Sequence, residues 1–198
     1  MGASVRAYDW ASSPLGAPET WPEALKATVG ILLGSGQPMF VAWGSQRTLI
    51  YNDAYAAILA SKHPDALGRD FLEVWSEIRA DLEPIVRRTF GGDPVQMDDL
   101  PLMMLRRGYL EEAHFSFFYA PVRLADGDVG GLFCACNEIT DQVESGRKAE
   151  MERQRMRLML GQMPGFIAML AGPRHRFDYV NGAYEALTGR QDLVGLTV

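Results

Sequence analysis

The sequence predicts an α+β domain, preceded by one helix and followed by another, and then the opening of a second domain of the same kind. Three observations carry this. Two short apolar runs, Met39–Trp43 and Thr48–Tyr51, flank a turn at Gly44–Arg47 and precede a helical stretch. From Val95 the apolar spacing changes toward two over three long runs, the signature of strands. The stretch PMFVAWGSQRTLIYNDAY (38–55) returns in order as PGFIAMLAGPRHRFDYVNGAY (164–184). Pro38, Phe40 and Ala42 match Pro164, Phe166 and Ala168; Asn52, Ala54 and Tyr55 match Asn181, Ala183 and Tyr184. The offset is about 126 residues at first and about 129 after a short insertion placed in the turn. DALG (65–68) meets DLVG (192–195) a little further on. Four parts follow: an arm and helix over 1–37, a domain over 38–138, a helical linker over 139–163, and the first part of a second domain over 164–198.

A chain of 198 residues is bounded to one or two domains. Its net charge of −6 opposes non-specific binding to nucleic acid or anionic lipid. Cys134 and Cys136 are no disulfide framework, so a reducing, cytoplasmic setting is expected. No run of 18 apolar residues predicts a membrane span, and the first residues carry no apolar signal core.

In chain order, residues 1–19 read as an extended arm, with Val5, Tyr8, Trp10 and Leu15 to pin it. Thr20-Trp21-Pro22-Glu23 reads as a helix start with Thr as cap. Leu25, Thr28, Val29 and Leu32 then make one apolar stripe, and Gly34-Ser35-Gly36 stops it. Such a stripe packs on its own domain or seeks a partner helix. Asn52-Asp53 caps a helix over Ala54–Ala60. SKHPDALGR (61–69) is turn-rich, and Phe71–Trp75 is a short helical piece. Glu77–Phe90 is the longer helix, kinked or split at Pro84. Val95–Leu105, Tyr109–Val122 and Val129–Cys136 are strands joined by turns at Arg106-Arg107-Gly108 and Ala125–Asp128. On the middle strand Phe115, Phe117 and Tyr119 share one face; His114, Ser116, Phe118 and Ala120 share the other. Residues 138–160 are densely charged with imperfect heptad spacing, a helix with coiled-coil character.

PMFVAWG, YNDAY, KHPDALGRDFLEVW, EEAHFSFFYAPV and GGLFCACNEIT, in this order, resemble the PAS sensor domains of bacterial signalling proteins. DWASSPLGAPETWPEAL is similar to the lead-in of a PAS subgroup at the front of multi-PAS sensor histidine kinases. The resemblance covers roughly residues 9–160, with 164–198 similar to the first third of a second PAS domain. It implies a five-stranded antiparallel sheet with helices across one face, a pocket or core between them, and a helical linker to the next module. The second copy stops before its long strands, so either the chain is a piece of a longer protein or this half borrows a surface from a partner.

The catalytic templates are absent: there is no G-x-S-x-G, no phosphate-binding glycine loop and no H-E-x-x-H. No histidine lies on the helix of 138–160, so phosphotransfer is expected outside these residues and no enzyme within them. No metal site is expected, because Cys134-x-Cys136 lacks two further ligands. The resemblance implies a haem ligand on the longer helix or a flavin-reactive Cys near ALGRDFLEVW; both are missing, so no cofactor is expected, and a flavin or haem sensor is the alternative reading. The candidate pocket is drawn from Phe40, Trp43, Tyr51, Tyr55, Phe71 and Trp75, with Met103, Phe117 and Cys134, and with Asn52 and His114 as polar points. A filled, ligand-free core is the competing reading of the same residues. The functional expectation is a sensory and dimerising PAS module of a histidine kinase, with a cyclic-dinucleotide enzyme or a phosphatase as other outputs. A homodimer is expected through Leu25, Val29 and Leu32 of the first helix and Val143 and Met156 of the linker.

Overall fold

Pairing of the two short strands with the three long ones makes a single antiparallel sheet. The computed structural model describes residues 1–198 as two units, Met1–Thr140 and Asp141–Val198. In the first, β1 (Met39–Trp43), β2 (Thr48–Tyr51), β3 (Val95–Met104), β4 (Glu111–Arg123) and β5 (Val129–Glu138) are ordered β2-β1-β5-β4-β3. The last strand thus lies beside the first, and the hairpin β3–β4 extends the sheet on the far side. Alternation then sorts the side chains. Phe40, Cys134 and Tyr119 stand in one row across three strands, with Phe117 beside Cys136 in the next. Over this face lie α3 (Asp53–Leu59), α4 (Phe71–Val74) and α5 (Arg79–Phe90).

The opposite face holds Val41, Trp43, Thr48 and Ile50, and α2 (Glu23–Gly34) packs on β1 and β2 there. The helices α3–α5 therefore take one face as expected, while the lead-in helix takes the other. Leu25, Val29 and Leu32 are buried there. Their expected place in a dimer interface is corrected: the stripe is consumed by its own sheet, and the large apolar side chain that α2 leaves exposed is Ile31. Trp43 crosses β5 where it carries no side chain: a Cβ on Gly131 would lie 2.6 Å from Trp43 Cε3 and 2.7 Å from the Ala42 carbonyl.

The arm is not extended. It forms α1 (Gly2–Ala7) and two 3₁₀ turns, Trp10–Ser12 and Pro18–Thr20. A buried indole needs an acceptor for its N–H; Trp10 Nε1 finds the Val5 carbonyl at 2.6 Å, which curls the arm back on itself. Trp10 packs on Tyr8 and Trp21, and the Tyr8 phenol rests on Gly68, whose φ of +77° and bare Cα leave room for it. Thr20 is not the cap of α2: its hydroxyl donates to the Ala17 carbonyl, and Pro22 occupies the cap position. Pro84 does not split α5, which runs unbroken from Arg79 after a 3₁₀ turn at Ser76–Ile78. Only the Ala80 carbonyl loses its helical donor, and both residues face solvent.

The element that joins α2, β1 and α3 is the carboxamide of Asn52. Its Oδ1 accepts from Met39 N (3.1 Å) and Tyr55 N (3.0 Å). Its Nδ2 donates to the carbonyls of Leu32, Ser35 and Gln37. One side chain thus caps the start of α3, satisfies the frayed end of α2 and fixes the entry of β1.

The second unit repeats this. It contains most of α6 (Thr140–Gln162), then β6 (Ala168–Ala171), β7 (Arg176–Val180) and α7 (Gly182–Thr188). Asn181 accepts from Ile167 N and Tyr184 N, both at 3.0 Å, and donates to the carbonyls of Leu160, Met163 and Gly165. The correspondence corrects the expected alignment. Met39 answers to Ile167, so Phe40 answers to Ala168 and not to Phe166. The turns are equal in length: Gly44 and Gly172 both have φ +71°, and Arg47 and His175 have φ of 48° and 47°. The extra residue is a bulge between the β6–β7 pairs Met169–Tyr179 and Leu170–Phe177. Beyond it, Gly195 N donates to Phe177 O as Gly68 N donates to Leu49 O.

Replacing Asn52 by Ala is expected to destabilise the first unit by about 2–4 kcal/mol, because several buried partners are left unpaired at once. Urea unfolding followed by tryptophan fluorescence measures it, and a loss below about 1 kcal/mol would contradict the role given to this amide.

Candidate functional site

The space between sheet and helices is a small cavity of about 40 Å³. Its floor is Phe40 from β1, Leu102 and Met104 from β3, Phe115, Phe117 and Tyr119 from β4, and both cysteines from β5. Its roof is Ile58 and Tyr55 from α3, Phe71 from α4, then Trp75, Ile78 and Leu82. Rings dominate: Phe40 stacks on Phe71 at 4.7 Å and leans on Tyr55 at 4.8 Å, while Phe117 and Tyr119 lie 4.6 Å apart. Burial pushes the Tyr55 and Tyr119 phenols well above their usual values. Burial does the same to the Cys134 thiol, with the Cys136 neighbour adding to it. These three groups are therefore uncharged at neutral pH. An isoalloxazine or a porphyrin ring exceeds this space several-fold, so the residues as folded do not fit a flavin or a haem. No group of three or more His, Cys, Asp or Glu side chains converges as a metal site.

Of the expected pocket residues, Phe40, Tyr55, Phe71, Trp75, Phe117 and Cys134 line the cavity. Met103 does not. A register shift between Met97 and Leu100 sets the phase of β3, so Leu102 and Met104 point inward and Met103, 46% exposed, points out. Trp43 lies on the other face. Tyr51 is on the inner face but off the cavity, its hydroxyl against His63 Nδ1 at 2.9 Å, and burial pushes its pKa up to about 12. Asn52 is fully used by backbone. His114 is buried on the outer side, with Nδ1 at 2.6 Å from Asp99 and Nε2 at 3.0 Å from Glu112. Tyr119 and Cys136 also line it, and their parity with Phe117 and Cys134 on the same strands is the signal that finds them; Leu102 and Met104 line it too, but the bulge in β3 hides them from alternation.

A second cluster ties this wall to the linker. Arg106, expected as a turn residue, is 1% exposed. Its Nε meets Glu111 at 2.8 Å and its two terminal nitrogens grip Glu138 at 2.7 and 2.5 Å. Nη1 also donates to the Ile58 carbonyl at the end of α3, and the Arg106 carbonyl accepts from the Ser61 hydroxyl. The guanidinium stands 5.8 Å from the ring of Phe115, a cavity residue. Glu138 is the last residue of β5. From there Ile139 N donates to the His114 carbonyl, Thr140 Oγ1 accepts from His114 N, and α6 begins. Nothing in Arg106-Arg107-Gly108 tells the buried arginine from its exposed neighbour. Both reach Glu111; what separates them is Glu138, at the end of β5, which only Arg106 reaches.

The residues and their arrangement agree with a family model: the description "PAS fold" matches residues 34–144. The chain belongs to the PAS fold family. Among solved structures, the PAS domain of Bordetella pertussis BvgS is 20% identical, with a TM-score of 0.50 over 66% of this chain and 97% of that one. The LOV protein of Rhodobacter sphaeroides is 12% identical (TM-score 0.47, 63% and 75% covered). A Vibrio cholerae VqmA dimer is 16% identical (TM-score 0.43, 59% and 52% covered). At such identities the likeness concerns the fold alone. No curated protein sequence matches the chain. No helix is long and apolar enough to cross a membrane.

The hydrogen bonds from Arg106, before any other cause, hold the Glu138 carboxyl below its usual value. A depressed carboxylate contributes stability that is complete above the unfolded value of about 4.3 and lost as pH falls through the folded one. Glu138→Gln is therefore expected to flatten the acid limb. The stability gap between parent and variant should shrink steadily as pH drops below about 4, read from urea midpoints across the range.

Proposed function

We propose that this chain is the sensory and relay part of a signalling protein, as in two-component sensor histidine kinases. In this reading the PAS domain biases α6, and α6 carries the bias to an output domain outside these residues. The observation that carries the proposal is the Arg106 cluster, which couples the cavity wall at Phe115 to the residues that launch α6. The last turn of α6 is in turn held by Asn181, as the last turn of α2 is held by Asn52. That parallel supports residues 164–198 as the opening of a second PAS domain, with α6 as its lead-in helix. The 198 residues bind and relay, and phosphotransfer or another output chemistry belongs to the rest of the protein, in the cytoplasm.

We infer also a homodimer, built on α6. This helix has no buried residue, and it exposes Met151, Met156, Leu158 and Met159. Met156 and Met159 are three residues apart on one face, with Glu152 one turn earlier, a short apolar strip that a second helix can cover. Val143 of the expected interface is half-buried at the other end of the helix.

Two experiments test the reading. Arg106→Met keeps the stem but releases Glu138. Amide exchange over residues 139–145 is expected to quicken roughly tenfold or more while the centre of the sheet keeps its protection. Unchanged exchange at the start of α6 would refute the coupling. Replacing Met156 and Met159 by Glu is expected to give the 21.9 kDa monomer by light scattering with the first unit still folded. Leu25→Glu instead unfolds the first unit, and a dimer that survives the double methionine variant removes the seam.

A further inference from the structure

His114 is 2% exposed, on the side of the sheet away from the cavity. Both of its ring nitrogens meet a carboxylate: Nδ1 lies 2.6 Å from Asp99 and Nε2 lies 3.0 Å from Glu112. A neutral imidazole carries one N–H, so its other nitrogen would turn a lone pair on a carboxylate oxygen. The imidazolium donates from both nitrogens and satisfies both contacts. The strand register builds this arrangement. Glu112 is two residues away on the same strand, hence on the same face. Asp99 comes from β3, inside the irregularity between Met97 and Leu100 and two residues before Pro101, which pairs with His114. The bulge turns Asp99 toward the ring.

Asp99 and Glu112 are half exposed, so hydration favours their charged forms. Of the other charges on these elements, Asp98 accepts from Gln96 Nε2 at 3.0 Å. Glu138, at the end of β5, is held by Arg106 and accepts from the Thr140 hydroxyl at 3.2 Å. Glu23 and Lys26 of α2 pair with each other. Near its start α6 carries Asp141, Glu144, Arg147 and Lys148. The backbone of the same histidine holds the launch of α6. Its carbonyl accepts from Ile139 N at 2.8 Å, and its N–H donates to Thr140 Oγ1 at 2.9 Å.

We propose that His114 is a proton-operated switch: its imidazolium, clamped between Asp99 and Glu112, secures the start of α6, and loss of the proton releases it. A neutral ring keeps at most one of the two carboxylates, and the strand loosens at the residue whose backbone anchors Ile139 and Thr140. Folding favours the charged ring. Its contribution to stability is therefore complete below the unfolded value of about 6.5 and is lost as pH rises through the folded one. Strong acid opens the clamp by another route, protonation of the carboxylates. The clamp stands on the geometry around His114; that it changes an output rests on the relay reading above.

The test follows the three histidine rings of the whole 198-residue protein by nitrogen NMR from about pH 5.5 to about pH 10. The His114 ring is expected to carry both protons at neutral pH and to release one at least about one pH unit above the ordinary histidine value of about 6.5. Asp99→Asn and Glu112→Gln are each expected to weaken proton binding roughly threefold to tenfold. Protection of the Ile139 amide, corrected for the intrinsic pH dependence of exchange, is expected to fall roughly tenfold through the same titration and to stay level in His114→Gln. A ring that is neutral at pH 7 overturns the proposal, as does a midpoint that neither carboxylate variant moves. Protection that stays level in the parent while the ring titrates also overturns it. The relay reading fails separately, if Arg106→Met leaves the start of α6 unchanged while His114 titrates as described.

Discussion

One carboxamide sets the geometry at the front of each unit. An asparagine between a strand and a helix offers two acceptor lone pairs and two donors at the end of a short stem. At Asn52 all of them go to backbone groups at three junctions: the end of α2, the start of β1 and the start of α3. The end of a helix, the start of a strand and the start of the next helix each carry groups that regular structure leaves unpaired. A single side chain that serves all three removes the freedom each junction has alone. Asn181 makes the same five bonds in the second unit, although the strand that follows its helix carries different side chains. What repeats between the two copies is a hydrogen-bond arrangement, and the sequence follows it only where the arrangement demands a residue: asparagine at the junction, glycine at the left-handed turn, glycine again beside the second strand.

Much of the first unit was legible because alternation and helical spacing are strong signals over long elements. β4 reads correctly from Phe115, Phe117 and Tyr119 alone, since every second residue is large and ringed. Three kinds of error mark where such signals stop. A strand read without its bulge is wrong by one face, which put Met103 in the cavity in place of Leu102 and Met104. An apolar helix stripe does not say what it packs on. Leu25, Val29 and Leu32 looked as ready for a partner as for their own sheet, and only the bare second face of that sheet decides it. A self-match scored on identities slips when prolines and aromatics recur nearby. The chance pairing of Pro38 with Pro164 displaced the alignment by two residues, and two is the one small displacement that keeps every side chain on its proper face.

Buried charge was the least legible feature. A double arginine before a glycine reads as a solvated turn, and one of the two is. The other lies beneath the turn because Glu111 and Glu138 reach it from neighbouring strands. Removing a guanidinium from water costs several kcal/mol unless its donors are matched. Here Nε and both terminal nitrogens have acceptors, and an aromatic ring lies under the plane. Such a cluster gives little net stability compared with an apolar replacement, and its value lies in fixing geometry. It defines where β5 ends, and therefore the direction in which the chain leaves the sheet.

That direction matters because of what α6 is made of. Its charged residues form pairs along the surface, Glu144 with Lys148 and Glu150 with Arg153, each worth a few tenths of a kcal/mol. With no buried side chain over 23 residues, the helix is marginal by its own propensity and draws its order from its ends and from whatever covers its methionines. At one end the start of the helix is bonded to the backbone of His114. At the other its final carbonyls are bonded to Asn181. With no buried side chain between the two anchors, the order of this helix rests on its ends, because helix formation is cooperative along its length.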